Sequence, residues 1–155
     1  MQNEYNFVSL YMDLENYADD MIFIRANTSS SKNGRVFSIE HKKSFDSKQT
    51  REYKLASKQD YVDFEHVFKE MVKNCSKPYF VGFHFVRKSR HKYDFINPCQ
   101  TVQDLMTRYG WIEDDNTTIM YPVPFKIDGR YETYSKENPG VYITIMNGKT
   151  LTFDK

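Results

Sequence analysis

The chain has 155 residues, of which 28% are charged and 39% hydrophobic, and a net charge of +1 at neutral pH. That length fits one domain whose core needs neither a disulfide framework nor a structural metal. The near-neutral balance excludes wholesale polyelectrolyte binding, so contact with nucleic acid has to come from local patches. Cys75 and Cys99 lack metal-ligand spacing, no signal-type N-terminus is seen, and no apolar run approaches membrane length. Together these read as a reduced, cytoplasmic setting with no membrane partner.

The first twenty residues, rich in Asn, Asp and Tyr, show no period and read as a peripheral extension to a single domain over residues 21–155. Residues 21–26 have strand composition and run into a polar, turn-forming stretch up to Arg35. A second strand is expected over 36–42, then a polar and basic stretch to about Ser57. From Ser57, a candidate N-cap, to Asn74 the spacing is helical. Tyr61, Phe64, Phe68 and Met71, with Val67 and Val72 beside them, make one apolar stripe. Pro78 introduces a strand over 79–86 in which Tyr79, Val81, Phe83 and Phe85 share a face.

The next helix is the best signalled. Asn97 is placed to cap it and Pro98 to occupy its first position, where the missing N–H is harmless. Cys99, Val102, Leu105, Met106 and Tyr109 fall on one side; Asn97, Gln100, Thr101, Asp104 and Arg108 fall on the other. Gly110 suits the left-handed closing position and leaves Trp111 free to fold back on Met106. Strands are expected at about 117–126 and 141–146, and Asn147-Gly148 signals a hairpin into 149–153. Pro122 and Pro124 mark the first of these as an edge or an interrupted strand. The order β, β, α, β, α, β, β predicts an α+β fold, a small mixed sheet with two packed helices.

Most of the chemistry lies between Arg90 and Asp115. Asp94 stands just before the second helix, and Asp114 and Asp115 just after it. Convergence of these acids would supply the hard oxygen ligands that a magnesium-type ion needs to cut phosphodiesters. Adjacent carboxylates such as Asp114 and Asp115 repel unless a cation or proton offsets them; a solvated acidic turn is the bland alternative. Asp104, with Arg108 four residues on, reads as a supporting ion pair rather than a ligand. Asn97 reads as a cap, with ligation open to it. Arg87, Lys88, Arg90, His91 and Lys92 form a basic run beside Asp94, suited to clamp a phosphate backbone or simply to a solvated turn. Lys32 and Arg35 offer further phosphate contacts, with a plain turn equally compatible. His41, His66, His84 and His91 show no zinc-type grouping, and no Walker loop, dinucleotide fingerprint or nucleophile elbow is present.

At these residues the chain resembles the RusA-like Holliday junction resolvases. That family has the pattern D-x-D-N, a Lys three residues after the Asn, an Asp within the helix, and a glycine shortly before a D-D pair that leads into a strand. Asp94, Asn97, Asp104, Gly110, Asp114 and Asp115 match it in identity and spacing. The loop Ser31-Lys32-Asn33 and the segment Pro139-Gly140-Val141 also fit, within a similarity spanning roughly residues 21–146. The resemblance implies an α+β homodimer that binds branched, four-way DNA and nicks it symmetrically with Mg²⁺ or Mn²⁺. It implies a metal held by Asp94 and Asp115 with Asp114 assisting. Two departures stand out: the second acid of the motif is Ile96, and the catalytic lysine is Gln100. Loss of that lysine removes transition-state charge stabilisation. Three readings therefore stay open: a metal-dependent structure-specific endonuclease, a catalytically inactive DNA-binding homodimer, and a protein-interaction module.

Overall fold

Alternating large apolar residues lay down a sheet, and two amphipathic helices cover one of its faces. The structure, a computed structural model, describes residues 21–28, 35–38 and 43–147. Ile22–Arg25 is β1, Arg35–Ser38 is β2, Lys43–Asp46 is β3 and Lys48–Val72 is α1. Tyr79–Arg87 is β4, Ile96–Arg108 is α2, Met120–Pro124 is β5, Glu132–Tyr134 is β6 and Gly140–Ile145 is β7.

β4 is central. It pairs antiparallel with β7, which pairs antiparallel with β1. Along its other edge β4 takes two short parallel partners in succession, β5 against Tyr79–Phe83 and β6 against Phe85–Arg87. Pro122 and Pro124 cannot donate to a further strand, so β5 lies at an edge, as the sequence predicts, and the edge resumes with β6. The α+β expectation of a small mixed sheet with two helices holds. β2 and β3 pair only with each other, in a separate two-stranded sheet.

Register places Ile22 and Ile24 of β1, Val141, Ile143 and Ile145 of β7, and Val81, Phe83 and Phe85 of β4 on one face. All are buried in the core, with Tyr61, Phe68 and Val72 of α1 and Cys99, Val102, Leu105 and Met106 of α2. Gly110 closes α2 with φ +80°, its N–H bonded to Thr107 O and the N–H of Trp111 to Met106 O at 2.8 Å. The Trp111 backbone thus turns back to Met106 as expected. Its indole goes elsewhere, between Tyr61 and Phe68 of α1, with Nε1–H donating to Tyr61 O at 2.7 Å.

Several boundaries differ from the sequence reading, each for a physical reason. α1 starts ten residues earlier than expected, capped by Ser47, whose Oγ accepts from Thr50 N at 3.2 Å. Its first turns are charged and turn only Thr50 and Tyr53 inward, so no apolar stripe announces them. Ser57 is not a cap. It is fully buried in mid-helix, where its hydroxyl donates to Tyr53 O at 2.6 Å. Asn97 is not a cap either. α2 begins at Ile96, and the cap position is Phe95, which makes no side-chain cap bond. The Phe95 ring packs edge-on against Phe85 at 5.7 Å, so burial of an aromatic fixes this helix start in place of a polar cap. Thr101, expected on the polar side, is 3% exposed. β3 falls in a stretch read as irregular, and β6 was not anticipated. The first twenty residues and the expected strand over 149–153 lie outside the described residues. Among the described residues no helix is long and apolar enough to cross a membrane.

Candidate functional site

The parallel pairing of β4 with β5 decides where the acids lie. A helix that joins two parallel neighbours starts at the C-terminal end of the first strand and returns to the N-terminal end of the second. Asp94 follows the exit of β4, whereas Asp114 and Asp115 precede the start of β5, which pairs with Tyr79 at the beginning of β4. The thirteen residues of α2 separate the two places by about 20 Å at 1.5 Å per residue. The expected convergence of Asp94 and Asp115 on one ion therefore does not occur within the chain. Among the described residues no group of three or more His, Cys, Asp or Glu is placed to hold a metal ion.

The acid pair at the far end is engaged locally. Asp114 accepts from the backbone N–H of Asp115 at 2.8 Å and from Asn116 Nδ2 at 3.0 Å, and Asn116 Oδ1 accepts from Thr118 N at 3.0 Å. The Asn116 carbonyl takes the N–H groups of Ile119 and Met120, so the segment is a hydrogen-bonded turn leading into β5. The bond from Asn116 and that from the Asp115 backbone hold the Asp114 carboxyl below its usual range. Partial burial, then Asp114 itself, push Asp115 up. Hydrogen bonds to Asp114 thus stabilise its charge, and the upward shift of Asp115 registers the repulsion that a cation or proton was expected to offset. Glu113 beside them pairs with Lys77 at 2.5 and 2.7 Å.

Asp94 has a different setting. With Arg90, His91, Lys92, Tyr93, Asn97 and Glu132 it lines a cleft of about 590 Å³ at the junction of β4 and α2. Arg90, His91 and Lys92 are exposed, so three of the predicted basic-run residues do come together with the first acid. Lys88 is exposed outside the cleft lining. Arg87 is not a solvated clamp. It is only 6% exposed, its guanidinium lies 3.8 Å from the Tyr93 ring centroid, and its buried Nη1 has no hydrogen-bond partner. Asp104 is exposed on α2, more than two turns along the helix from Asp94 and outside the cleft. Arg35 opens β2 in the separate small sheet, and Lys32 lies outside the described residues.

Two residues at this cleft, Glu132 and Tyr93, and a third beside it, Tyr134, lie outside the sequence reading. Glu132 arrives through the β4–β6 pairing, opposite Phe85. Tyr93 hydrogen-bonds Glu132, and burial, then the nearby carboxylate, raise its phenol well above the ordinary value. Tyr134, two residues beyond Glu132 on the same face of β6, carries the Arg90 guanidinium 4.8 Å from its ring centroid. The available signal was Asp128-Gly129, both at positive φ in a two-residue turn closed by Ile127 and Arg130, which reverses the chain before β6. His84, fully buried in β4, holds β6 in place: its Nδ1–H donates to Phe125 O at 3.1 Å, and Nε2 accepts from the Thr133 hydroxyl at 3.1 Å.

No protein-family model matches the chain, and no curated protein or solved structure matches it either.

Proposed function

We propose that this chain is a RusA-like nucleic-acid-binding protein that holds the phosphate backbone of branched DNA in the cleft where β4 meets α2, acting as a two-fold homodimer. One observation carries the reading: Arg90, His91 and Lys92 converge on a single cleft instead of dispersing over a turn. A polyanion bound there releases counterions, so affinity falls steeply with salt. The test is a salt titration of binding to a synthetic four-way junction. Combined Arg90→Ala and Lys92→Ala substitution reduces the slope of log affinity against log salt by about 2. An unchanged slope, or no binding by the wild type, rules out the reading and leaves a protein-interaction module.

A second reading, the metal-dependent endonuclease, is favoured by one specific feature. Asp94, Asn97 and Glu132 line the same cleft as the cations. Magnesium is commonly held by one or two carboxylates and completes its shell with water and substrate phosphate. If the protein nicks junctions, Asp94 and Glu132 are the carboxylates that hold the ion, and Asp115 is dispensable. Mg²⁺- or Mn²⁺-dependent nicking is then abolished by Asp94→Asn and by Glu132→Gln and survives Asp115→Asn. Nicking that dies with Asp115→Asn would instead restore the two-acid centre, assembled across a dimer.

A further inference from the structure

Tyrosine side chains in an edge strand ordinarily bury one ring face against a neighbour. Tyr134 on β6 is instead 45% exposed, and the group over its ring is a guanidinium, that of Arg90. Arg90 also lines the cleft. Glu132, on the same face of β6 two residues earlier, lines it too, so Tyr134 stands next to the cleft, joined to it through Arg90. Thr133 between them points the other way, toward His84. The cleft thus has a flat aromatic–guanidinium surface beside it, with His91 and Lys92 close by. Its volume, about 590 Å³, leaves room for one planar group at the open surface.

We infer that this cleft takes the unstacked base of a single-stranded nucleic-acid segment, the base lying on the Tyr134–Arg90 surface and its flanking phosphates facing Lys92 and His91. The inference rests on reading the cleft as a phosphate-binding site and narrows its ligand. In a duplex the faces of the bases are covered by their neighbours, and a flat aromatic wall gains nothing from them. In an unpaired strand every base has a free face, and aromatic and arginine side chains stack on it regardless of sequence. Branched DNA offers such bases where strands part, which is where a backbone-gripping protein at a branch meets them. The two acids of the cleft disfavour an unshielded phosphate at its centre, which fits a base inside and phosphates at the rim.

Tyr131 supplies a built-in control. It is 57% exposed with Lys126 at 5.0 Å from its ring centroid, yet it stands one residue before β6 and out of phase with Glu132 and Tyr134. The experiment measures fluorescence anisotropy at low salt with a labelled thymidine oligonucleotide, the corresponding duplex and a synthetic four-way junction. The wild type is expected to bind the single strand more tightly than the duplex. Tyr134→Ala weakens single-strand binding by roughly ten-fold and leaves duplex binding within about two-fold. Tyr134→Phe retains wild-type affinity, Tyr131→Ala changes nothing, and thermal melts show each variant folded. Equal affinity for duplex and single strand, or a Tyr134→Ala variant that loses both alike or neither, overturns the inference. Binding of the junction that depends on Arg90 and Lys92 but ignores Tyr134 overturns this inference alone. Absence of any nucleic-acid binding overturns it together with the reading beneath it.

Discussion

The two ends of α2 carry the same residue type in the same motif and do opposite things with it. At the C-terminal end, Asp114 spends its oxygens on the Asp115 backbone and the Asn116 amide, Glu113 is paired with Lys77, and Trp111 anchors the turn to α1. Polar groups there are satisfied by near neighbours. At the N-terminal end, Asp94 opens onto a cleft with cations on its rim, and a buried arginine behind Tyr93 keeps a nitrogen without a partner. An orphaned buried donor is destabilising. Under the proposed function, stability falls to one end of the helix and recognition to the other.

That division is broken most sharply at Trp111. Trp111→Ala removes a ring that is 2% exposed, along with its bond to Tyr61 O, and is expected to lower stability by about 3–5 kcal/mol in a denaturant titration. Nucleic-acid affinity of the folded fraction should stay as in the wild type. At the other end Arg87→Met is expected to do the reverse. Replacing a buried, incompletely bonded cation by an apolar side chain of similar length leaves stability within about 1 kcal/mol of wild type or raises it. Junction affinity falls, because a positive charge behind the cleft's Tyr93 is lost. A matched loss of stability and unchanged affinity in that variant would erase the distinction between the two ends.

A smaller effect sharpens the comparison through pH. Burial lowers the His84 imidazole below its ordinary value of 6.5 in the folded chain. Below about 6.5 the unfolded chain therefore takes up a proton that the fold resists. Stability is expected to hold above that pH and to decline as pH falls toward the lowered folded value. His84→Gln should flatten this part of the profile in a series of thermal melts. Because His84 ties Thr133, and so β6, to β4, binding should weaken over the same interval, whereas the Asp114 turn stays intact.

Much of the scaffold was legible in the residues. The apolar run of β4, the stripe of α2, the glycine closure at Gly110 and the prolines of β5 each name their own structure, because each depends on neighbours within a few positions. α1 was half legible, since only its second half has a continuous apolar stripe. β6 was not, because three residues alternating exposed, half-buried and exposed have too little pattern to see. The site failed differently. Twenty-one positions separate Asp94 from Asp115, but a helix of known length stands between them, and its rise sets its two ends well apart. Glu132 reaches the cleft, and Tyr134 its border, only through strand pairing, which no local spacing encodes.

Asn147 shows how a single amide can fasten two strands together. Its Oδ1 accepts from Phe80 N at 2.7 Å, and its Nδ2 donates to the carbonyls of Ser76 and Pro78, both at 3.2 Å. In sequence it precedes Gly148, the neighbour that most readily lets asparagine cyclise and lose ammonia. Conversion to aspartate would set a carboxylate against two carbonyl oxygens and unfasten the start of β4 from the end of β7. Deamidation at Asn147 would therefore strike that latch, far from the cleft.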